Sequence, residues 1–170
     1  YFSEDPVLTG NMAAAICRGI AISGPTATIK HFACNSQEIG RASADSVVSQ
    51  RALREIYLKG FEIAVKEGNA DSIMSTYGPV NGLWTASSYD LLTTILRGEW
   101  GFTGIVMTDW WATGNDEGEK ATHQNTAAML RSQNDIYMVV ADSQNNSGND
   151  NTMEALKNGA LTRGELQRTA

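Results

Sequence analysis

Cysteine is almost missing from this chain: Cys17 and Cys34 are the two in 170 residues. They show neither a CxxC pair nor metal-ligand spacing, and two isolated thiols make no disulfide framework, so both are read as buried thiols. Histidine is equally scarce. His31 and His123 stand far apart in the chain, so no zinc ligand set is expected, and no metal or other cofactor is assigned. No apolar run approaches the roughly 20 residues of a membrane span, and no membrane partner is expected. Basic residues are outnumbered, 13 Lys and Arg against 19 Asp and Glu, for a net charge of −6. That leaves no cationic stripe for phosphates and argues against a nucleic-acid partner. No G-x-G-x-x-G or P-loop pattern follows any apolar run, which argues against dinucleotide and nucleotide binding. The opening "YFSEDPVLTG" is neither a Met start nor a secretory leader. The compartment is therefore unread, and the chain is expected to begin inside something longer.

What is present suits a packed core. Hydrophobic residues make up 42% of the chain and charged residues 19%, the balance of one globular domain or part of a larger one. Four segments have strand character: 26–33 "TATIKHFA", 71–78 "DSIMSTYG", 104–110 "GIVMTDW" and 135–140 "DIYMVV". Each is mostly apolar or β-branched rather than alternating, as strands covered on both faces are.

Helical patterns separate these segments. A helix over about 7–21 precedes the first. Leu53, Ile56, Tyr57, Gly60, Phe61 and Ala64 mark one face of a second, ending where Gly68 can adopt a left-handed cap. A third starts at "SSYD", where Ser87 and Asp90 have capping-box spacing, buries Leu91, Leu92, Ile95 and Leu96, and closes at Gly98. Shorter helices are expected over 122–132 and 150–158, and another from the Thr162/Glu165 capping box. Strands alternating with helices imply a parallel sheet with right-handed crossovers. The fold class is α/β, either an open doubly wound sheet or part of a TIM-type (β/α) barrel, which four strands cannot close.

In both architectures ligands bind beyond the carboxyl ends of the strands. Those ends carry Lys30 and His31, then Tyr77, then Asp109 and Trp110. Asp109 suits a nucleophile or electrostatic stabiliser, or else a cap or ion-pair partner. Lys30 suits a hydroxyl donor, a Schiff-base lysine or a snorkelling surface residue. Being adjacent, Lys30 and His31 start on opposite faces of a strand, and both reach one ligand only where the strand ends or bulges. Tyr77 can orient a carboxylate or plug a barrel mouth. Trp110 and Trp111 can form a platform for a sugar ring or pack as ordinary rim aromatics.

Taken together, "TIKHFACNSQEIGR", "SIMSTYGPVNG" and "ILRGEWGFTGIVMTDWW" resemble the catalytic barrel of glycoside hydrolase family 3, of the β-glucosidase type. "YFSEDP" and "NDIYMVV" extend the likeness over nearly the whole chain. The resemblance implies a TIM-type barrel, present here as a partial set of βα units. It implies a retaining enzyme that hydrolyses terminal non-reducing β-D-glucosyl residues, with cello-oligosaccharides or aryl glucosides as substrates. Asp109 matches the nucleophile, and Lys30 and His31 match the pair that binds sugar hydroxyls. Tyr77 matches the tyrosine beside the nucleophile, and Trp110 the aromatic residue after it. Glu38 and Arg41 also fit the pattern and are read as a scaffold ion pair.

The chain departs from the family pattern in three places. The family's sugar-binding arginine and aspartate would precede Tyr1. Its acid/base glutamate matches no Glu here and is expected on a separate domain or loop of the parent polypeptide. The Pro-Gly-His loop of the N-acetylglucosamine branch reads "FACNSQE", which argues against that specificity. The partners implied are a β-glucoside and the remainder of the barrel with its acid/base domain, and the segment alone is expected to be inactive. A β-xylosidase, a lysine aldolase using Lys30 and a non-catalytic carbohydrate-binding barrel are the alternatives.

Overall fold

A computed structural model describes residues 2–170; Tyr1, the first residue of the "YFSEDP" likeness, lies outside them. The chain begins with α1 (Pro6–Ile22). Asp5 caps this helix by accepting from the Val7 and Leu8 amides, with Pro6 in the first turn where no amide is needed. Then come β1 (Thr28–Phe32), α2 (Gln50–Ala52), a π turn at Leu53–Tyr57 and α3 (Lys59–Lys66). β2 (Ser72–Ser75) leads into a hairpin of β3 (Pro79–Val80) and β4 (Leu83–Trp84). A wide helix with π hydrogen bonding, Asp90–Glu99, precedes β5 (Ile105–Trp110). The remaining elements are α4 (Thr126–Arg131), β6 (Ile136–Met138), α5 (Thr152–Asn158) and α6 (Arg163–Thr169).

All four expected strands form, and they pair in parallel in the order β1-β2-β5-β6. The order follows the chain without reversing. A doubly wound sheet reverses its strand order at the ligand crevice, whereas a barrel does not. The sheet is therefore a partial (β/α) barrel. Its helix-facing side is the main core: Ile73, Val106 and Phe32 pack with Leu53, Leu58, Leu92, Ile95 and Leu96. Residues one step along the strands face the other way, and Lys30, Met74 and Met107 share one row there.

Several expectations change in detail. The π turn inserts a residue, so Leu58, rather than Tyr57, follows Leu53 into the core; Leu58 is fully buried while Ile56 and Tyr57 are exposed. Ser88, not Ser87, caps the third helix, its hydroxyl accepting from the Leu91 amide at 3.4 Å. Ser87 instead ties the 115 backbone, accepting from the Asn115 amide and donating to its carbonyl. That helix runs past Gly98 to Glu99, and Gly101 takes the left-handed conformation. The Thr162/Glu165 capping box forms as expected. The β3–β4 hairpin was not anticipated, although Asn81-Gly82, both at positive φ, is the strongest short hairpin signal a sequence carries.

Gly68 is not the left-handed residue after α3; Asn69 is, at φ 52°. The demand on Gly68 is space. A Cβ there would collide with the Ala64 carbonyl and stand 2.7 Å from Ala14 Cα, while one at Gly10 would stand 2.8 Å from Ile63 Cβ. α1 and α3 thus meet backbone to backbone through small residues. Gly68→Ala is expected to destabilise the fold by about 1–3 kcal/mol through overpacking, read as a lower urea midpoint at unchanged m-value.

Candidate active site

The carboxyl ends of β1, β2 and β5 come together at one rim. Asp109 is the next-to-last residue of β5 and is only 7% exposed. A carboxylate this dry must be hydrogen-bonded to remain there. Asp109 Oδ1 accepts the Trp110 amide at 2.7 Å, and Oδ2 lies 3.3 Å from His31 Nε2. The Tyr77 phenol donates to the same carboxylate. Asp109 caps no helix.

His31 reaches this site because β1 breaks register between Lys30 and Phe32: Lys30 pairs with Met74, whereas Phe32 pairs with Ser75. The irregularity falls at His31, whose ring meets Asp109, while Lys30 stays in register opposite Met74. Burial pushes the His31 pKa down, and the opposing pull of the Asp109 charge does not cancel it. The imidazole is therefore neutral near pH 7. Since a carboxylate only accepts, Nε2 carries the proton and Nδ1 is a bare acceptor. Nδ1 is buried without a hydrogen-bond partner, as an atom awaiting a hydroxyl donor would be. Lys30 is exposed on the inner row and makes no ion pair or hydrogen bond among the described residues, its charge reaching His31 electrostatically.

Tyr77 follows β2. Its neighbour Thr76 is fixed by Thr85, whose buried hydroxyl both accepts the Thr76 amide at 3.1 Å and donates to the Thr76 carbonyl at 2.8 Å. Burial, then the hydrogen bond to Asp109, raises the Tyr77 pKa, so the phenol keeps its proton and stays a donor. Trp110 is half exposed beside Asp109. Sequence reading left Trp111 as a platform or rim aromatic; it is also exposed, sits at φ 52°, and packs edge-on against Trp110 with centroids 5.7 Å apart. Arg41 forms the expected ion pair with Glu38 at 2.9 Å. It also lies 4.8 Å from the centre of the Tyr77 ring, a contact that one-dimensional spacing does not reveal.

Among the described residues no group of three His, Cys, Asp or Glu could hold a metal ion, and no helix is long and apolar enough to cross a membrane. Burial pushes the Cys34 thiol up to about 11, which disfavours its thiolate. A cavity of about 260 Å³ opens under the loop 33–48, walled in part by Arg41, Asp45, Thr76 and Gly78. It adjoins the carboxylate site rather than enclosing it.

Fold and site together define a barrel segment with a buried, hydrogen-bonded carboxylate at a strand end. Sequence comparison assigns it further: the family described as glycosyl hydrolase family 3 N terminal domain matches residues 1–170, and the chain belongs to that family. A β-glucosidase of Ruminococcus albus is 61% identical over the whole chain, which covers 18% of that protein. An exo-α-(1→6)-L-arabinopyranosidase of Bifidobacterium longum is 39% identical over the whole chain and 20% of its own length. Among solved structures, a β-glucosidase from Paenibacillus barengoltzii superposes with a TM-score of 0.98 at 64% identity, over 99% of this chain and 19% of that one. β-Glucosidase 3B from Thermotoga neapolitana, solved with α-D-glucose, gives 0.87 at 41% identity, over 99% of this chain and 23% of that one. The chain thus spans about a fifth of the length of these relatives.

The lowered His31 pKa has a consequence for stability. Below about pH 6.5 the unfolded chain takes up a proton that the folded imidazole resists. The contribution is therefore complete above that pH and is lost as pH falls through the folded value. His31→Gln is expected to flatten the decline in unfolding free energy between about pH 6.5 and 5, measured by urea titrations across that window.

Proposed function

We propose that this segment supplies the nucleophile side of a retaining β-glucosidase that removes terminal non-reducing β-D-glucosyl residues. The observation that carries the reading is the buried Asp109 carboxylate, held by His31, Tyr77 and the Trp110 amide at the carboxyl end of a parallel strand. A carboxylate so fixed loses little freedom on attacking a carbon brought to it. An oxygen of Asp109 bonds to the anomeric carbon as the glycosidic oxygen leaves, protonated by a general acid. Water, deprotonated by the same group, then cleaves the glycosyl ester, and two inversions leave the configuration retained. In retaining enzymes the two carboxyl groups stand roughly 5–5.5 Å apart. The second is assigned to a domain or loop of a longer polypeptide, since no Glu of this chain matches it.

The other rim residues bind. His31 Nδ1 accepts from one sugar hydroxyl, and Lys30 donates to another. Tyr77 orients the carboxylate, and Trp110 offers an indole face to the ring. Relatives matched over the full segment are named a β-glucosidase and an arabinopyranosidase, and we assign the choice of sugar to loops outside this rim. An aldolase using Lys30 gains no support, because that residue is exposed rather than set in an apolar pocket.

Two measurements test this. In a longer polypeptide carrying this segment, a 2-deoxy-2-fluoroglucosyl inactivator labels Asp109, and Asp109→Ala lowers kcat by roughly 10⁴-fold or more; a label on any other residue overturns the assignment. The 170-residue chain by itself is expected to hydrolyse no aryl β-glucoside. Hydrolysis that disappears with Asp109→Ala would show that a second carboxyl group is already present.

A further inference from the structure

We propose that Thr108 is a positioning residue of this site, its hydroxyl clamping the Asp109–Trp110 span to the end of β6. The inference rests on Asp109 being the nucleophile. The starting observation is the pairing of β5 with β6. Met107 pairs with Ile136 and Trp110 with Met138, so β5 spends one residue more than β6 over the same stretch. Strands bulge in this way next to active sites, where the extra residue re-aims a side chain. The extra length falls between Met107 and Trp110, where Thr108 and Asp109 stand.

Both ends of the span are tied to one residue. Thr108 is fully buried, and its hydroxyl accepts the Met138 amide at 2.8 Å and donates to the Met138 carbonyl at 3.4 Å. Past Trp110, the Trp111 amide reaches the same carbonyl at 2.6 Å, with Trp111 turned to φ 52°. Asp109 and Trp110 thus form an arch that stands on Met138. Within the arch the chain folds tightly enough for the Trp110 amide to meet the carboxylate of the residue before it, 2.7 Å from Oδ1. Pairing of β5 with β2 stops at Met107, so β6 is the strand that holds the arch. Valine would fill the same space as Thr108; only the hydroxyl reaches the Met138 peptide.

The consequence is one of direction. A small misplacement of an attacking group slows its reaction steeply. Asp109 Oδ2 lies against His31 Nε2, and Oδ1 accepts the Trp110 amide. That amide can aim an oxygen only where its own main chain is fixed. Thr108 fixes the chain just before Asp109, as the Trp111 amide does just after Trp110. Lys30 and His31, assigned above to sugar hydroxyls, lie on β1 and hang from neither anchor. Loss of the Thr108 hydroxyl therefore slows attack while the sugar is still held.

The test uses 2-deoxy-2-fluoro-β-D-glucosyl fluoride on the longer polypeptide. There the bond from Asp109 oxygen to the anomeric carbon forms as the carbon–fluorine bond breaks, and fluoride leaves with the electron pair, without help from the general acid. Thr108→Val is expected to lower the inactivation rate constant roughly tenfold or more, while the inactivator's binding constant moves less than about threefold. Thr108→Ser, which keeps the hydroxyl, should recover most of the rate. Val106→Ala hollows the helix-facing core of the same strand; it should lower the urea midpoint yet leave the rate within about twofold. An unchanged rate in Thr108→Val, weaker binding at unchanged rate, a serine variant as slow as the valine one, or an equal loss in Val106→Ala would each overturn the proposal. Should the valine variant not fold, Thr108→Cys decides by the same criteria, a thiol being a weak acceptor. If the label in the unsubstituted protein falls elsewhere than Asp109, the proposed function fails instead, whatever Thr108 does.

Discussion

A carboxylate withdrawn from water at the end of a strand is tolerable only where enough donors meet it, and Asp109 meets three: the Trp110 amide, His31 Nε2 and the Tyr77 phenol. Each donor comes from a different part of the sheet edge, and each has its own support. The His31 ring arrives through the register break in β1. Tyr77 is set by the Thr76–Thr85 pair behind it. The Trp110 amide comes with the strand itself. The requirement to solvate one buried charge thus links β1, β2 and β5 at their carboxyl ends, which is where barrels bind their ligands.

Burial shifts the pKa values of the two titratable donors in opposite directions, yet favours the uncharged form of both. It lowers the histidine pKa and raises the tyrosine pKa, so both groups are neutral donors around pH 7. A protonated His31 would form a full ion pair with Asp109 and compete with an electrophile for its charge. On the function proposed above, the neutral ring orients the carboxylate while leaving its negative charge to react.

Much of this was legible in one dimension. The four apolar runs became the four parallel strands because strands covered on both faces need continuous hydrophobicity rather than alternation. The rim residues could be gathered because parallel strands end together, so Lys30, His31, Tyr77 and Asp109 had to share an edge. What escaped depended on local geometry. The π turn at 53–57 shifted the buried face by one residue and turned Ile56 outward, and nothing in a 3.6-residue period signals that insertion. The Asn81-Gly82 hairpin was signalled and overlooked. Arg41 beside Tyr77 joins residues 36 positions apart through a loop whose path no periodicity describes.

The opposite end of the sheet is built differently. Asp135 Oδ2 accepts both the Val106 amide and Arg97 at 2.7 Å, locking the start of β6 to β5, and Gly104 brings the chain against the Asp71 carbonyl too closely for any side chain. Close backbone packing is concentrated at the amino-terminal edge and the proposed chemistry at the carboxyl-terminal one. Loops at the carboxyl-terminal end can then be rewritten in evolution without loosening the foundation. Homologues named for different sugars can in this way share a common chassis.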